Sequence, residues 1–391
     1  MTFSDPTPGG QSSGTTQSGM KVAHVIDNLG AGGAQKLLAV FAEQAVHRGV
    51  QVVAVGLKPS SETRYIEELK RAGVEVHVLP ACNQFRRFLR VVKLLRDAKP
   101  DVVHTHLRQG HILGLIAAGL VSRPSVATLH NVDVEARNLK RAMMKWLETW
   151  VLRHRAAQVI GVGDIVADSQ GKRLGRGTVY VVRNPVSPID MVITPEERVA
   201  IRSSLLGKAS SPLLLAVGRL AEQKAYHHLL EAVALLRHSV PAVTLAVAGE
   251  GHLRQPLESR IQELGLEENV VLLGPRSDVP RLMRAADVFV SSSLWEGLPL
   301  VLLEAMDAGL AIVATEVGDV PTVVGNAGVL VPPADPQQMA DALALLLSDP
   351  ARLASLGREA RDHVREQNDP VSWLEELMGI YGEQIRRASR K

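Results

Sequence analysis

Short runs of β-branched and aliphatic residues recur at Val22–Ile26, Val52–Leu57, Val74–Leu79, Val102–Thr105, Val126–Leu129, Val159–Val162 and Val179–Val182. Between most of them lie stretches of ten or more residues with helical spacing of apolar positions, such as Ala34–His47, Arg86–Ala98 and Asn138–Arg153. Strands that are apolar throughout need cover on both faces, so this alternation predicts a parallel sheet between two layers of helices. The rhythm breaks at Arg183–Ser211, a segment holding Pro185, Pro188 and Pro195 and followed by Pro212. It then restarts at Leu213–Val217, Val243–Ala248, Val270–Leu273, Val288–Val290, Ile312–Thr315 and Val329–Val331. The expected fold class is α/β, with two successive doubly wound, Rossmann-like domains facing each other across a cleft. Their expected spans are residues 20–188 and 189–370. Residues 1–19, rich in Ser, Gly, Thr, Gln and Pro, carry too little apolar surface to offset the entropy of ordering and read as a disordered tail.

Length and composition agree with that picture. The 391 residues suffice for two domains of ordinary size, each with its own core. No apolar run approaches the ~20 residues that span a bilayer; Ile112–Val121, interrupted by Gly114 and Gly119, reads as a core helix. The N-terminus lacks a basic-then-apolar leader pattern. The single cysteine, Cys82, has no internal partner for a disulfide, which suits a reducing cytoplasm. Charge is unevenly divided. Residues Met20–Asp190 hold 25 Lys+Arg against 14 Asp+Glu, and Met191–Lys391 hold 19 against 26. Either the first domain meets something anionic, or solvated helix faces differ in sign between the two halves.

In open parallel sheets ligands bind beyond the carboxyl ends of the strands, so chemistry is sought in the loops that follow them. The first such loop is Asn28-Leu29-Gly30-Ala31-Gly32-Gly33-Ala34, whose glycines would let backbone amides approach an anion at a helix start. Gly30-x-Gly32 begins a dinucleotide fingerprint, but Gln35 stands where Gly or Ala is required and the second strand ends Gly56-Leu57-Lys58 without a carboxylate for a ribose. A nicotinamide cofactor is therefore not expected, and the Lys-Ser/Thr of a nucleoside triphosphatase loop is also missing. The second loop, Gly218–Lys224, offers the planar fork of Arg219 and the ammonium of Lys224. Cations at a helix start oppose its dipole, so a bound diphosphate accounts for them better than solvent does. The third is Leu294–Met306. Pro299 suits the first position of a helix, which leaves the amides of Leu300 and Val301 unpaired and facing the cleft. Glu304, on an otherwise apolar helix, must find donors: ribose hydroxyls on one reading, a neighbouring backbone on the other.

The Gly218-Arg219-Leu220…Lys224 pair, the Glu296-x7-Glu304 spacing and Glu304-Ala305-Met306 resemble the retaining nucleotide-sugar glycosyltransferases of the GT-B fold, glycosyltransferase group 1 (family 4) type. So do Gly32-Gly33-Ala34, Asp101-Val-Val-His-Thr-His106 and Thr128-Leu129-His130. The likeness runs from about Lys21 to the end and is tighter in the second half. It implies that Arg219 and Lys224 hold a donor diphosphate and that Glu304 binds the nucleotide ribose. Glu296 would contact the transferred sugar, and His130 would face it near the anomeric carbon. The backbone from Gly297 through Leu298 and Leu300 to Val301 would meet sugar and phosphate, and Gly32 and Gly33 would close over phosphates or acceptor. The implied reaction is a front-face displacement with retention, without metal or other cofactor. It would use a UDP- or GDP-sugar and a glycan or lipid-linked acceptor in bacterial surface polysaccharide synthesis. The resemblance also implies that a helix of about 371–391 returns to the first domain. Two positions depart from it: Ala225 where glycine is usual, and Asp307 where alanine is usual.

Other features read as structural. His104 and His106 alternate at a strand end and are expected to be half-buried hydrogen-bonding residues; no Asp-x-Asp metal motif exists, and Asp133-Val134-Glu135 reads as surface. In Phe85–Lys99 a stripe of Phe85, Phe88, Val92 and Leu95 is expected to cover the sheet while Arg86, Arg90, Lys93 and Arg96 face water. Asn138–Arg155 combines Lys140, Arg141, Lys145, Arg153 and Arg155 with Trp146 and Trp150, and its apolar face is likewise expected to cover the sheet, with contact to anionic lipid as the alternative. Nucleic acid is not expected, since no groove-reading motif accompanies the charge. Two rival functions remain at this level: a nucleotide-sugar epimerase of similar shape, and a non-catalytic subunit that binds sugar nucleotides.

Overall fold

The computed structural model describes residues 19–30, 32–134, 138–175, 179–206 and 210–390. Residues 1–18 of the expected tail, and Glu135, lie outside them.

The first sheet contains β1 (Lys21–Ile26), β2 (Gln51–Gly56), β3 (Glu75–Val78), β4 (Val102–His106), β5 (Ser125–Leu129), β6 (Gln158–Gly161) and β7 (Tyr180–Val181). The second contains β8 (Leu213–Val217), β9 (Thr244–Ala248), β10 (Val270–Gly274), β11 (Val288–Ser291), β12 (Ala311–Thr315) and β13 (Val329–Val331). Their spatial orders are β3-β2-β1-β4-β5-β6-β7 and β10-β9-β8-β11-β12-β13, and the paired strands run parallel. Each sheet therefore reverses its winding once, between β1 and β4 and between β8 and β11. At such a switch point neighbouring loops diverge to opposite faces and leave a crevice, so the loops after these four strands are where a ligand fits.

The two domains share contacts across that crevice. One apolar cluster runs from Leu129, Val162 and Val186 of the first to Leu298, Leu302 and Leu303 of the second. Both chain crossings are tied together by asparagines: Asn368 Nδ2 donates to Asn184 O at 2.7 Å, and Val186 N donates to Asn368 O at 2.8 Å. The C-terminal helix Pro370–Ser389 starts on an Asp369 cap with Pro370 in its first turn, the arrangement that suits an N-terminus. It lies on the first domain, where Leu374, Leu377, Ile380 and Tyr381 bury themselves beside Phe41 and Leu38 of the helix Gly33–Val46.

Two helix expectations are corrected. On Gln84–Ala98 the covered face is Val91, Val92 and Leu95, while Phe85 is 69% exposed and Arg87 is buried, donating to Cys82 O. On Leu139–Arg155 only Glu148, Val151 and Leu152 are buried; Trp146 and Trp150 face outward with Leu139 and Met143. Spacing of 4, 3 and 4 residues puts those four on one stripe, beside exposed Lys140 and Arg141. No helix among the described residues is long and apolar enough to cross a membrane.

Candidate active site

The floor of the second domain's switch point is an ion pair. Lys224, at the end of a short 3-10 turn, places Nζ 2.5 Å from Glu296 Oε1, with both side chains largely shielded. Gly218 makes this possible: a Cβ there would sit 2.8 Å from Lys224 Cε. Glu296 is further held by Ser293 Oγ at 2.7 Å and Gln223 Nε2 at 3.1 Å, so a buried carboxylate finds three donors. Arg219 differs. It is exposed at the mouth of the same loop, and its guanidinium has no ionic or hydrogen-bonding partner among the described residues.

Ala225 follows Lys224 at φ 46° and ψ 41°. That left-handed conformation is the one glycine adopts without penalty, which explains the glycine expected there. The second departure is also explained. Asp307 is fully buried and accepts from Ile189 N and Arg365 Nε, each at 2.5 Å, joining the interdomain linker to the helix Pro350–Gln367.

The helix Leu300–Asp307 begins one residue later than expected, with Pro299 just outside it. The amides of Leu300 and Val301 have no acceptor among the described residues. The preceding loop is docked onto the first domain. Gly297 pairs with Asn131, and a Cβ on Gly297 would fall 2.1 Å from His130 O; Leu298 O accepts from Asn184 Nδ2 at 3.1 Å. The carboxylate of Asp319 accepts from the amides of Ile165 and Val166 at a first-domain helix start. Glu304 does find a donor, and it is a side chain: Lys36 Nζ, from the first turns of Gly33–Val46, lies 2.8 Å from Glu304 Oε1. Gly33 faces the same helix, 3.6 Å from Leu300 Cδ1 when a Cβ is built on it. Gln35, which breaks the dinucleotide fingerprint, ties its loop down by donating to Asn28 O and Oδ1.

The first domain's side of the crevice is built from imidazoles. His104 and His106 are not half-buried as expected but fully inside, together with His24 and His111. His104 is fixed by Tyr381 Oη at 2.6 Å and Thr128 Oγ1 at 2.7 Å, and His111 Nδ1 meets Thr105 Oγ1 at 3.1 Å. His24 Nδ1 meets His106 Nε2 at 3.0 Å, and His106 Nδ1 meets His130 Nε2 at 3.2 Å. Burial pushes the pKa of His130 down to about 4 and that of His24 to about 3, and it holds those of His104, His106 and His111 well below the usual range. All five rings are therefore neutral at neutral pH. Nitrogens of His24, His104 and His106 lie within 4.8 Å of one another, close enough for a metal ion, but both nitrogens of His104 and of His106 already have partners.

The structure thus brings Lys224, Glu296, Gly297, His130, Glu304, Gly32 and Gly33 to one crevice, with Arg219 at its mouth. Sequence reading missed Lys36, Gln223, Ser293, Asn131 and Asp319. Of these only Lys36 had a visible signal, its place one turn after the glycine loop.

Comparison with known proteins covers both domains. The family model described as glycosyl transferases group 1 matches residues 198–363, and that described as glycosyltransferase family 4 matches residues 31–188. A D-inositol 3-phosphate glycosyltransferase of Saccharomonospora viridis is 30% identical, with 90% of this chain and 89% of that protein aligned. The UDP-Gal:alpha-D-GlcNAc-diphosphoundecaprenol alpha-1,3-galactosyltransferase of Escherichia coli is 26% identical over 94% of this chain and 98% of its own length. Among solved structures, Anabaena Alr3699/HepE in complex with UDP and glucose superposes with a TM-score of 0.82 at 22% identity, covering 93% of this chain and 100% of that one. WaaG, a glycosyltransferase involved in lipopolysaccharide biosynthesis, gives 0.72 at 19% identity, covering 93% and 99%. The chain belongs to the group 1 glycosyltransferases and has the GT-B fold.

Proposed function

We propose that this glycosyltransferase takes a sugar from a UDP- or GDP-sugar held between its domains and passes it, with retention and without a metal ion, to a glycan or lipid-linked acceptor. The observation that carries this reading is the pair of cations on one loop, Lys224 anchored to Glu296 at 2.5 Å and Arg219 beside it without a partner among the described residues. A departing diphosphate gathers negative charge, and the two cations stabilise it in place of a metal. In this reading Glu296 orients Lys224 and turns its remaining lone pairs to the sugar, and Glu304 takes ribose hydroxyls while keeping Lys36, since a carboxylate accepts about four bonds. The free amides of Leu300 and Val301 meet phosphate or sugar, with Gly297 and Leu298 shaping the loop. Gly32 and Gly33 approach from the first domain, and His130 faces the anomeric carbon. A uridine nucleotide is supported by the UDP and glucose of the HepE complex.

The reading extends to a surface-polysaccharide role at the cytoplasmic face of a membrane. The Escherichia coli relative acts, by its name, on a diphosphoundecaprenol-linked sugar. The exposed stripe Leu139, Met143, Trp146 and Trp150, rimmed by Lys140 and Arg141, has the chemistry of an anionic lipid interface.

A thermal-shift screen against UDP-, GDP- and ADP-sugars identifies the donor, because a ligand of the native state raises Tm. With that donor, Glu296→Ala should still bind the nucleotide but lose transfer, and the product anomer read by NMR should match the donor. Full turnover in that variant, or an inverted product, would remove the role or the stereochemistry proposed. Sedimentation with vesicles containing phosphatidylglycerol should drop in Trp146→Ala/Trp150→Ala; equal partition of both proteins would discard the lipid contact.

A further inference from the structure

The three-imidazole chain from His24 through His106 to His130 has an order that decides what His130 offers a ligand. Each ring is neutral, so each carries one N–H and one lone pair, and two hydrogen bonds leave two self-consistent arrangements. In the first, His24 Nδ1–H donates to His106 Nε2 and His106 Nδ1–H donates to His130 Nε2, so His130 carries its proton on Nδ1. In the second every proton moves to the other nitrogen, and His130 presents a bare Nδ1.

The inner end of the chain discriminates between them. His24 Nε2 is buried and has no hydrogen-bond partner. The first arrangement leaves an unpaired acceptor there. The second leaves an unpaired N–H, with the Phe41 ring packed beside His24 at 4.5 Å between ring centroids. Buried orphan donors are rarer than under-used acceptors, and N–H···π contacts are weak substitutes. Water does not rescue the second arrangement. The cavity at His24 has a volume of about 20 Å³ and is lined mainly by aliphatic side chains such as Leu37, Leu38 and Leu377; of its polar liners, His104, His106, His130 and Thr128 are engaged with partners of their own, and Asn184 and Trp373 complete it. A buried water needs two to four polar partners, and this lining has few to spare. At the outer end His130 is half-buried, and its Nδ1 has no partner among the described residues.

We infer that His24 and His106 are positioning residues that hold His130 as the Nδ1–H tautomer, so that it acts on the sugar as a hydrogen-bond donor and not as a base. The part concerning the sugar rests on the reading that His130 faces the transferred group; the tautomer does not. A donor also suits a ligand that is anionic and rich in oxygen acceptors.

Histidine-selective 15N labelling reads the tautomer directly in the free protein, with the His130 signals assigned by their loss in His130→Gln. Two-bond couplings should place the His130 proton on Nδ1; a proton on Nε2 overturns the inference. A second measurement uses whichever of UDP-glucose, UDP-galactose, GDP-mannose or ADP-glucose raises Tm most. His106→Leu should lose about 10-fold in turnover, the scale of one hydrogen bond, with affinity for the bare nucleoside diphosphate unchanged. His106→Asn, whose amide N–H replaces Nδ1–H, should recover most of that loss. Equal turnover in the Leu and Asn variants would refute the positioning role. Wild-type turnover in His130→Ala, with the Nδ1–H tautomer confirmed, would refute the contact with sugar and leave the relay standing.

Discussion

The two halves of the crevice solve the burial of polar groups in opposite ways. Beside the β1/β4 switch point the first domain buries His24, His104, His106 and His111 as neutral rings, bonded mostly to each other, to Tyr381 and to hydroxyls. Beside the β8/β11 switch point the second domain keeps its groups charged and matches Glu296 with Lys224, while Arg219 stays in solvent. Burial disfavours the charged form of any group, and only a close opposite charge reverses that preference. The same fold therefore offers a ligand a neutral imidazole, His130, on one side and charged groups on the other. That division suits a donor whose sugar is neutral and whose diphosphate is not.

Acid should break the contrast most strongly. An unfolded histidine titrates near 6.5, and the folded values lie at about 4 for His130 and about 3 for His24. Above pH 6.5 both states are neutral and stability is unaffected. Below it the unfolded state takes up protons that the buried rings refuse, and each ring costs about 1.4 kcal/mol per pH unit until its folded pKa is reached. Urea unfolding between pH 7 and 5.5, above the range where carboxylates titrate, should therefore show a loss of several kcal/mol, and the slope should be shallower in His24→Phe. Constant stability across that interval would mean that the rings are solvated.

On the charged side, Lys224→Ala strands Glu296 and, in the proposed reading, removes a cation from the leaving group. Turnover should fall about 10²–10³-fold, the usual cost of deleting a transition-state charge stabiliser. Lys224→Arg keeps the charge but not the fit beside Gly218, and it should recover only part of the activity. Arg219→Ala breaks no hydrogen bond or ion pair among the described residues, so its Tm should be unchanged while nucleoside diphosphate binding by calorimetry weakens about 10- to 100-fold, the scale of charge-assisted hydrogen bonds. Undiminished affinity in both variants would take the phosphate site away from this loop. The smallest effect is expected at Ala225, where glycine should relieve left-handed strain and raise stability by about 0.5–1 kcal/mol, since the relief is partly offset by greater freedom in the unfolded chain.

Much of this protein is readable from local pattern. Every strand expected from the sequence is present, with ends displaced by at most one residue, because an apolar β-branched run declares itself whatever surrounds it. The helices were less legible. Trp146 and Trp150 have the composition of a core-facing stripe, yet they face outward because the buried side of that helix needs only Val151, Leu152 and Glu148. Glu148 is buried because Arg173, from another helix, sits 3.1 Å away, and no periodicity announces such a partner. Asp307 looked like a departure from the family pattern and is instead a buried tie between linker and helix.

The sequence by itself determined the two domains, the strand–helix alternation and the loops where Arg219, Lys224, Glu296 and Glu304 stand, because these follow from short-range periodicity and from turn chemistry. Only the tertiary structure decided that Lys36 reaches Glu304, that Asn131 meets Gly297, and that four buried histidines line up behind His130. Those pairings depend on which strands lie side by side and on how the domains dock. Both are set by burial summed over the whole chain, and no local window contains that sum.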